Sequence, residues 1–134
     1  MTPTASKPAC TPVLLIEDEP AVLGFVRSAL ERSGYSVMCT ESGAEALHLL
    51  AEGDFQGVVS DMRTPGGVDG AQVYAWIAAN RPALAPKLVF ITGDIANEET
   101  AATLRNTGAP CVEKPFRVAD FISVVEKTMG KAVP

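Results

Sequence analysis

Four short stretches carry the residues of this chain that can do chemistry: Glu17-Asp18-Glu19, Asp61, Thr92-Gly93 and Lys114-Pro115. Each comes at or just after the end of an apolar, β-branched run, where a buried strand would stop. Carboxylates crowded together repel one another and raise each other's pKa unless a cation intervenes. Hard oxygen ligands with room left for waters suit Mg²⁺. A metal held by Glu17, Asp18 and Asp61, with open positions, is ready to coordinate a phosphoryl oxygen. Lys114 adds an ammonium that can pair with Asp61 or with that oxygen, and Thr92 adds a hydroxyl donor. A carboxylate nucleophile, a metal clamp, a cation and a donor together point to phosphoryl transfer.

These residues meet only if the strands that bear them lie side by side, because ligands of open parallel sheets sit beyond the carboxyl ends of the strands. The chain supplies the required alternation. Residues 13–16 are four consecutive apolar residues, and Pro20 opens a helix with Val22, Leu23, Val26 and Leu30 at helical spacing, closed by Gly34. Residues 35–39 read as a second strand, and Ser42 with Glu45 as a capping box for a helix carrying Ala46, Leu47 and Leu50. A third strand at 56–60 runs into Asp61, and Asp69 caps a helix bearing Val73, Tyr74 and Ile77. A fourth strand at 87–91 runs into Thr92, followed by a helix at 97–106 and Gly108. A fifth strand at 109–112 leads to Lys114, and Val118, Phe121, Ile122, Val125 and Met129 form the stripe of a last helix stopped by Gly130. The expected fold is α/β: a (βα)5 doubly wound parallel sheet, strand order 2-1-3-4-5, with helices on both faces. The fourth helix offers mainly Ala101, Ala102 and Leu104, buries little apolar area, and should be the least firmly held.

Composition narrows the function. A chain of 134 residues fits one domain, and 47% hydrophobic content is too apolar for a disordered chain. The net charge of −5, without a Lys/Arg cluster, argues against a nucleic-acid surface. Cys10, Cys39 and Cys111 have no close pairing or metal-type spacing and read as reduced thiols of a cytoplasmic protein. No run approaches the ~20 apolar residues of a membrane span.

With these residues in place, the motifs Leu14-Leu15-Ile16-Glu17-Asp18-Glu19-Pro20, Asp61-Met62-Arg63-Thr64-Pro65-Gly66-Gly67-Val68-Asp69-Gly70, Ile91-Thr92-Gly93 and Glu113-Lys114-Pro115-Phe116 together resemble those of two-component response-regulator receiver domains, the CheY-like superfamily, of single-domain or kinase-associated type. The resemblance runs from about Val13 to Met129. It implies a signalling switch rather than an enzyme, with a flexible tail at 1–12, the receiver domain at 13–130 and a C-terminal tail at 131–134. Asp61 would take a phosphoryl group from a phosphohistidine of a sensor histidine kinase or histidine phosphotransfer protein. Asp18, with Glu17 direct or through water, would hold Mg²⁺ together with Asp61 and the backbone carbonyl of Arg63. Thr92 and Lys114 would contact phosphoryl oxygens, with a cis Lys114–Pro115 bond. A downstream protein would read the changed face of the fourth helix, fifth strand and fifth helix.

Glu17 departs from the usual Asp, the turn at 65–70 carries an extra glycine, and Cys111 replaces the usual aromatic residue three before Lys114. Glu19 reads as a solvated helix start, and Arg63 and Asp94 as neighbours that shield the site from water. Two other functions fit less well: an interaction module of the same fold that needs no phosphorylation, and an aspartyl-phosphate phosphohydrolase, which Asp61-Met62-Arg63 leaves without a second acid at Asp-x-Asp spacing.

Overall fold

The computed structural model describes residues 11–63 and 67–132. Among the described residues, strands and α-helices alternate, with a short 3-10 turn (Ala85–Lys87) ahead of the fourth strand: β1 (Val13–Ile16), α1 (Pro20–Arg32), β2 (Val37–Thr40), α2 (Gly43–Glu52), β3 (Gly57–Asp61), α3 (Gly70–Asn80), β4 (Leu88–Thr92), α4 (Glu98–Thr107), β5 (Cys111–Glu113) and α5 (Val118–Met129). The strands form one parallel sheet in the order β2-β1-β3-β4-β5, as expected. β1, β3 and β4 are buried along their whole length, which is why β1 and β4 run apolar without alternation up to Thr92, while β3 ends in the buried polar Ser60 and Asp61.

Two cores fill the faces of the sheet. On one, Val26 and Leu30 of α1 and Phe121 and Val125 of α5 pack on Leu15, Val59, Val89 and Ile91. On the other, Ala46 and Leu50 of α2 and Val73 and Ile77 of α3 pack on Leu14, Ile16, Val58 and Phe90. The only buried residue of α4 is Thr100, with Leu104 partly buried against the second core, in keeping with a weakly held helix. The Thr100 hydroxyl has no hydrogen-bond partner, which weakens its packing further. Among the described residues, no helix is long and apolar enough to cross a membrane.

Two strands shift from their sequence expectations for local reasons. Residues 35–39 become Val37–Thr40 because Tyr35 is turned inward, its hydroxyl donating to the Gly130 carbonyl at 2.6 Å. Residues 109–112 become Cys111–Glu113 because α4 ends in a left-handed Gly108 (φ 69°), a conformation glycine adopts freely, and 109–110 complete the turn. β3 and β4 each run one residue further than expected, so Asp61 and Thr92 are themselves the last ladder residues. Only half of the α2 capping box forms: Ser42 accepts from the Glu45 N–H, but the Glu45 carboxylate takes a hydrogen bond from the Thr40 hydroxyl. The full box is at α3, between Asp69 and Gln72.

Residues 1–10, most of the expected N-terminal tail, lie outside the described residues, as do 64–66 of the glycine turn and 133–134. Pro12 is tied in through its carbonyl, which accepts from Gln56 N–H at 2.8 Å. At the other end, the Gln56 side chain donates to the Lys131 carbonyl at 2.7 Å, and Ala132 packs on the first core.

Gly70, the first residue of α3, is pressed against the end of β3. A Cβ there would lie 2.8 Å from the Asp61 carbonyl oxygen and 3.0 Å from the Phe90 ring. Gly70→Ala should therefore push α3 off β3 and destabilise the fold by about 1–3 kcal/mol. A urea midpoint equal to wild type would show that α3 is not seated so closely.

Candidate functional site

The parallel register delivers the chemical residues to one edge of the sheet. Backbone bonds continue one residue past the ladder, from Glu17 N to Thr40 O (3.1 Å), Met62 N to Ile91 O (2.9 Å) and Lys114 N to Thr92 O (2.7 Å). Glu17, Asp61, Thr92 and Lys114 are thus held by main chain at their roots, and a cis Lys114–Pro115 bond follows the lysine. An open cleft of about 350 Å³ sits over these ends, lined by Asp18, Glu19, Asp61, Arg63, Thr92, Gly93, Asp94 and Lys114.

At its floor the Lys114 ammonium lies 3.0 Å from Glu17 Oε1, 3.3 Å from Glu19 Oε1 and 3.5 Å from Asp61 Oδ2. It donates hydrogen bonds to Glu19 and Asp61. Toward Glu17 Oε1 the approach is that of an ion pair without hydrogen-bond alignment, and this oxygen, fully buried, has no hydrogen-bond partner. The other Glu17 oxygen accepts from Glu19 N–H at 3.1 Å. Burial pushes the Glu17 carboxyl up to about 7; the Glu19 amide pulls against this, Asp61 adds to it, and Lys114 opposes it. For Lys114, burial disfavours the charge, but Glu17, Asp61 and Glu19 outweigh it and hold the pKa above the usual lysine value.

Carboxylate oxygens of Glu17, Glu19 and Asp61 lie within 4.8 Å of one another, close enough to share one ion. An all-oxygen set containing a buried carboxylate oxygen that accepts no hydrogen bond fits a small hard dication. Asp18, expected among the ligands, is exposed and lines the cleft from its outer side. Arg63 N–H donates to Asp61 Oδ1 at 3.4 Å. Arg63 and Asp94 reach the same cleft, but among the described residues they form no ion pair with each other. Thr92 is buried, and its hydroxyl oxygen accepts from Asp94 N–H at 3.1 Å, which leaves its proton to be donated elsewhere. Cys111 packs against the second core, and burial followed by the nearby Glu113 raises its thiol to about 11, so it is a packing residue rather than a reactive thiol.

Glu19 is the exposed N-cap at the start of α1, as expected, but its side chain makes no cap bond and also accepts a hydrogen bond from Lys114. The signal was its place in the triplet with Glu17 and Asp18.

Residues 13–126 match the response regulator receiver domain family. The chain is 31% identical over 117 residues to the response regulator receiver protein CpdR of Brucella abortus (strain 2308), covering 87% of this chain and 95% of CpdR. It is 35% identical over 122 residues to the transcriptional regulatory protein GlrR of Escherichia coli (strain K12), covering 91% of this chain but only 27% of GlrR. The fold is shared with the receiver domain of the sensor histidine kinase PA1611 from Pseudomonas aeruginosa PAO1, whose crystal structure has a magnesium ion in its active site cleft. That match has a TM-score of 0.78 at 20% identity and covers 90% of this chain and 98% of the other. The chain belongs to the response regulator receiver domains of two-component signalling systems.

Proposed function

We propose that this domain accepts a phosphoryl group on Asp61 from a phosphohistidine of a sensor histidine kinase or histidine phosphotransfer protein, with Mg²⁺ bound beside it, and that it acts as a cytoplasmic switch rather than an enzyme. The observation that carries this reading is the convergence of Asp61, Lys114 and a buried Glu17 oxygen that is ion-paired to Lys114 but accepts no hydrogen bond, at the floor of one open cleft. An Asp61 oxygen attacks phosphorus while the phosphorus–nitrogen bond to the donor imidazole breaks, and the imidazole leaves with the bonding electrons. When bound, the dication would neutralise the crowded carboxylates and offer a coordination site to a phosphoryl oxygen. Glu17, Asp61, the Arg63 carbonyl and Asp18, direct or through water, would hold it.

Lys114 needs little movement to bond a phosphoryl oxygen, since its ammonium already touches Asp61. Thr92 can donate its hydroxyl proton to another oxygen. Turning it strains or breaks its bond from the Asp94 N–H, which loosens the loop into α4. With Thr100 its only buried residue, α4 is the element that gives. The face made by α4, β5 and α5 would then change toward a downstream protein partner.

Incubation with acetyl phosphate, with and without Mg²⁺, tests the reading by intact mass. A gain of one phosphoryl group that requires the metal is expected. A folded, Mg²⁺-binding protein that gains none from acetyl phosphate or from a phosphohistidine donor would favour a docking module independent of phosphorylation.

A further inference from the structure

Glu19 is left out of the ligand set and roles of the proposed function, although its carboxylate lies within 4.8 Å of those of Glu17 and Asp61. As N-cap of α1 it stands where an acidic side chain could turn to the free amides of the first turn, and it makes no such bond. Its Oε1 instead accepts from Lys114 Nζ at 3.3 Å, while its N–H donates to Glu17 Oε2 at 3.1 Å. One residue thus touches both neighbours of Asp61, orienting Glu17 with its main chain and holding Lys114 with its side chain.

An ammonium has three N–H donors, and this one faces three carboxylates. Under the proposed function, Glu17 and Asp61 turn to the cation and the phosphoryl group. Glu19 alone then keeps the ammonium in place, and without it a flexible four-carbon stem must be ordered each time a phosphoryl group arrives. We infer that Glu19 is a positioning residue for phosphoryl uptake, anchoring the Lys114 ammonium beside Asp61; this rests on the function proposed above. Bulk electrostatics gives the opposite sign. A carboxylate at the cleft repels an anionic donor, so its removal would speed uptake.

The test compares wild type, Glu19→Gln, Glu19→Asp, Lys114→Met and the Glu19→Gln/Lys114→Met double variant, timing phosphorylation by acetyl phosphate at saturating Mg²⁺. The Glu19 side chain is 61% exposed, so solvent limits the effect. Glu19→Gln should be about fivefold slower than wild type, with part of the rate restored in Glu19→Asp and no further slowing on the Lys114→Met background. In the metal-free protein, the ¹⁵N signal of the Lys114 ammonium should broaden through faster proton exchange in Glu19→Gln. An equal or faster rate in Glu19→Gln, an undiminished loss on the Lys114→Met background, or an unaltered ammonium signal overturns the inference. A wild type that takes no phosphoryl group would instead overturn the function proposed above, and the ammonium signal would still decide whether Glu19 anchors Lys114.

Discussion

Lys114→Met should slow phosphoryl uptake by about a hundredfold, the scale for removing one preorganised donor from a developing charge. The ammonium lies within hydrogen-bonding distance of Asp61 and needs no reorganisation as the phosphoryl group arrives. Methionine keeps most of the stem, so the loss is of charge and donor rather than of packing. Its effect on stability should depend on pH. With the ammonium gone, the buried Glu17 carboxylate loses its counter-charge and must hold a proton or a metal. The variant should therefore lose more stability at pH 8 than at pH 6, and Mg²⁺ should restore stability without restoring rate. Time courses by intact mass, with urea denaturation at both pH values, check this. A rate within a factor of about two of wild type would remove Lys114 from the chemistry.

Glu17→Gln carries the second large effect. The Glu17 carboxyl in the folded protein titrates near 7, above its ordinary value of 4.5, so between those values the folded state binds more protons than the unfolded one. Its contribution to stability is present below pH 4.5 and is lost as pH rises through 7. In metal-free wild type, stability should fall from pH 5 to 8 by on the order of 1–3 kcal/mol, and Glu17→Gln should flatten that slope. Metal affinity runs the other way. The ligand must lose its proton before it can hold a dication, so Mg²⁺ binding should weaken as pH drops below about 7. Glu17→Gln should bind Mg²⁺ at least about tenfold more weakly with little pH dependence. Calorimetric titration at pH 6 and 8 measures both. Equal affinity in the two proteins would place Glu17 outside the metal site.

The sequence already contained the sheet and most of the cleft. Val13–Ile16, Gly57–Asp61 and Leu88–Thr92 are buried on both faces; the first is an unbroken apolar run and the other two hold apolar runs that end at Ser60-Asp61 and Thr92. Once those strands lie parallel, Glu17, Asp61, Thr92 and Lys114 must share an edge. What escaped was set by contacts distant in sequence. Tyr35 reads as a strand residue because nothing near it reveals the Gly130 carbonyl that its hydroxyl meets. Arg81, just after α3, donates its guanidinium to the Leu50 and Gly53 carbonyls at the end of α2 and to Asp54, contacts that no neighbouring residue announces. The Glu19 contact with Lys114 was missed for the same reason, since the two lie 95 residues apart.

Locating the phosphoryl group is the measurement that bears most directly on the whole account. Wild type and Asp61→Asn, each treated with acetyl phosphate and Mg²⁺, would be compared by intact mass, with the modified peptide mapped and its lability to hydroxylamine tested. The account predicts a single hydroxylamine-labile phosphoryl group on the wild-type peptide that contains Asp61, and none on Asp61→Asn. Equal uptake by Asp61→Asn, or a phosphoryl group mapped to any other residue of wild type, would contradict it.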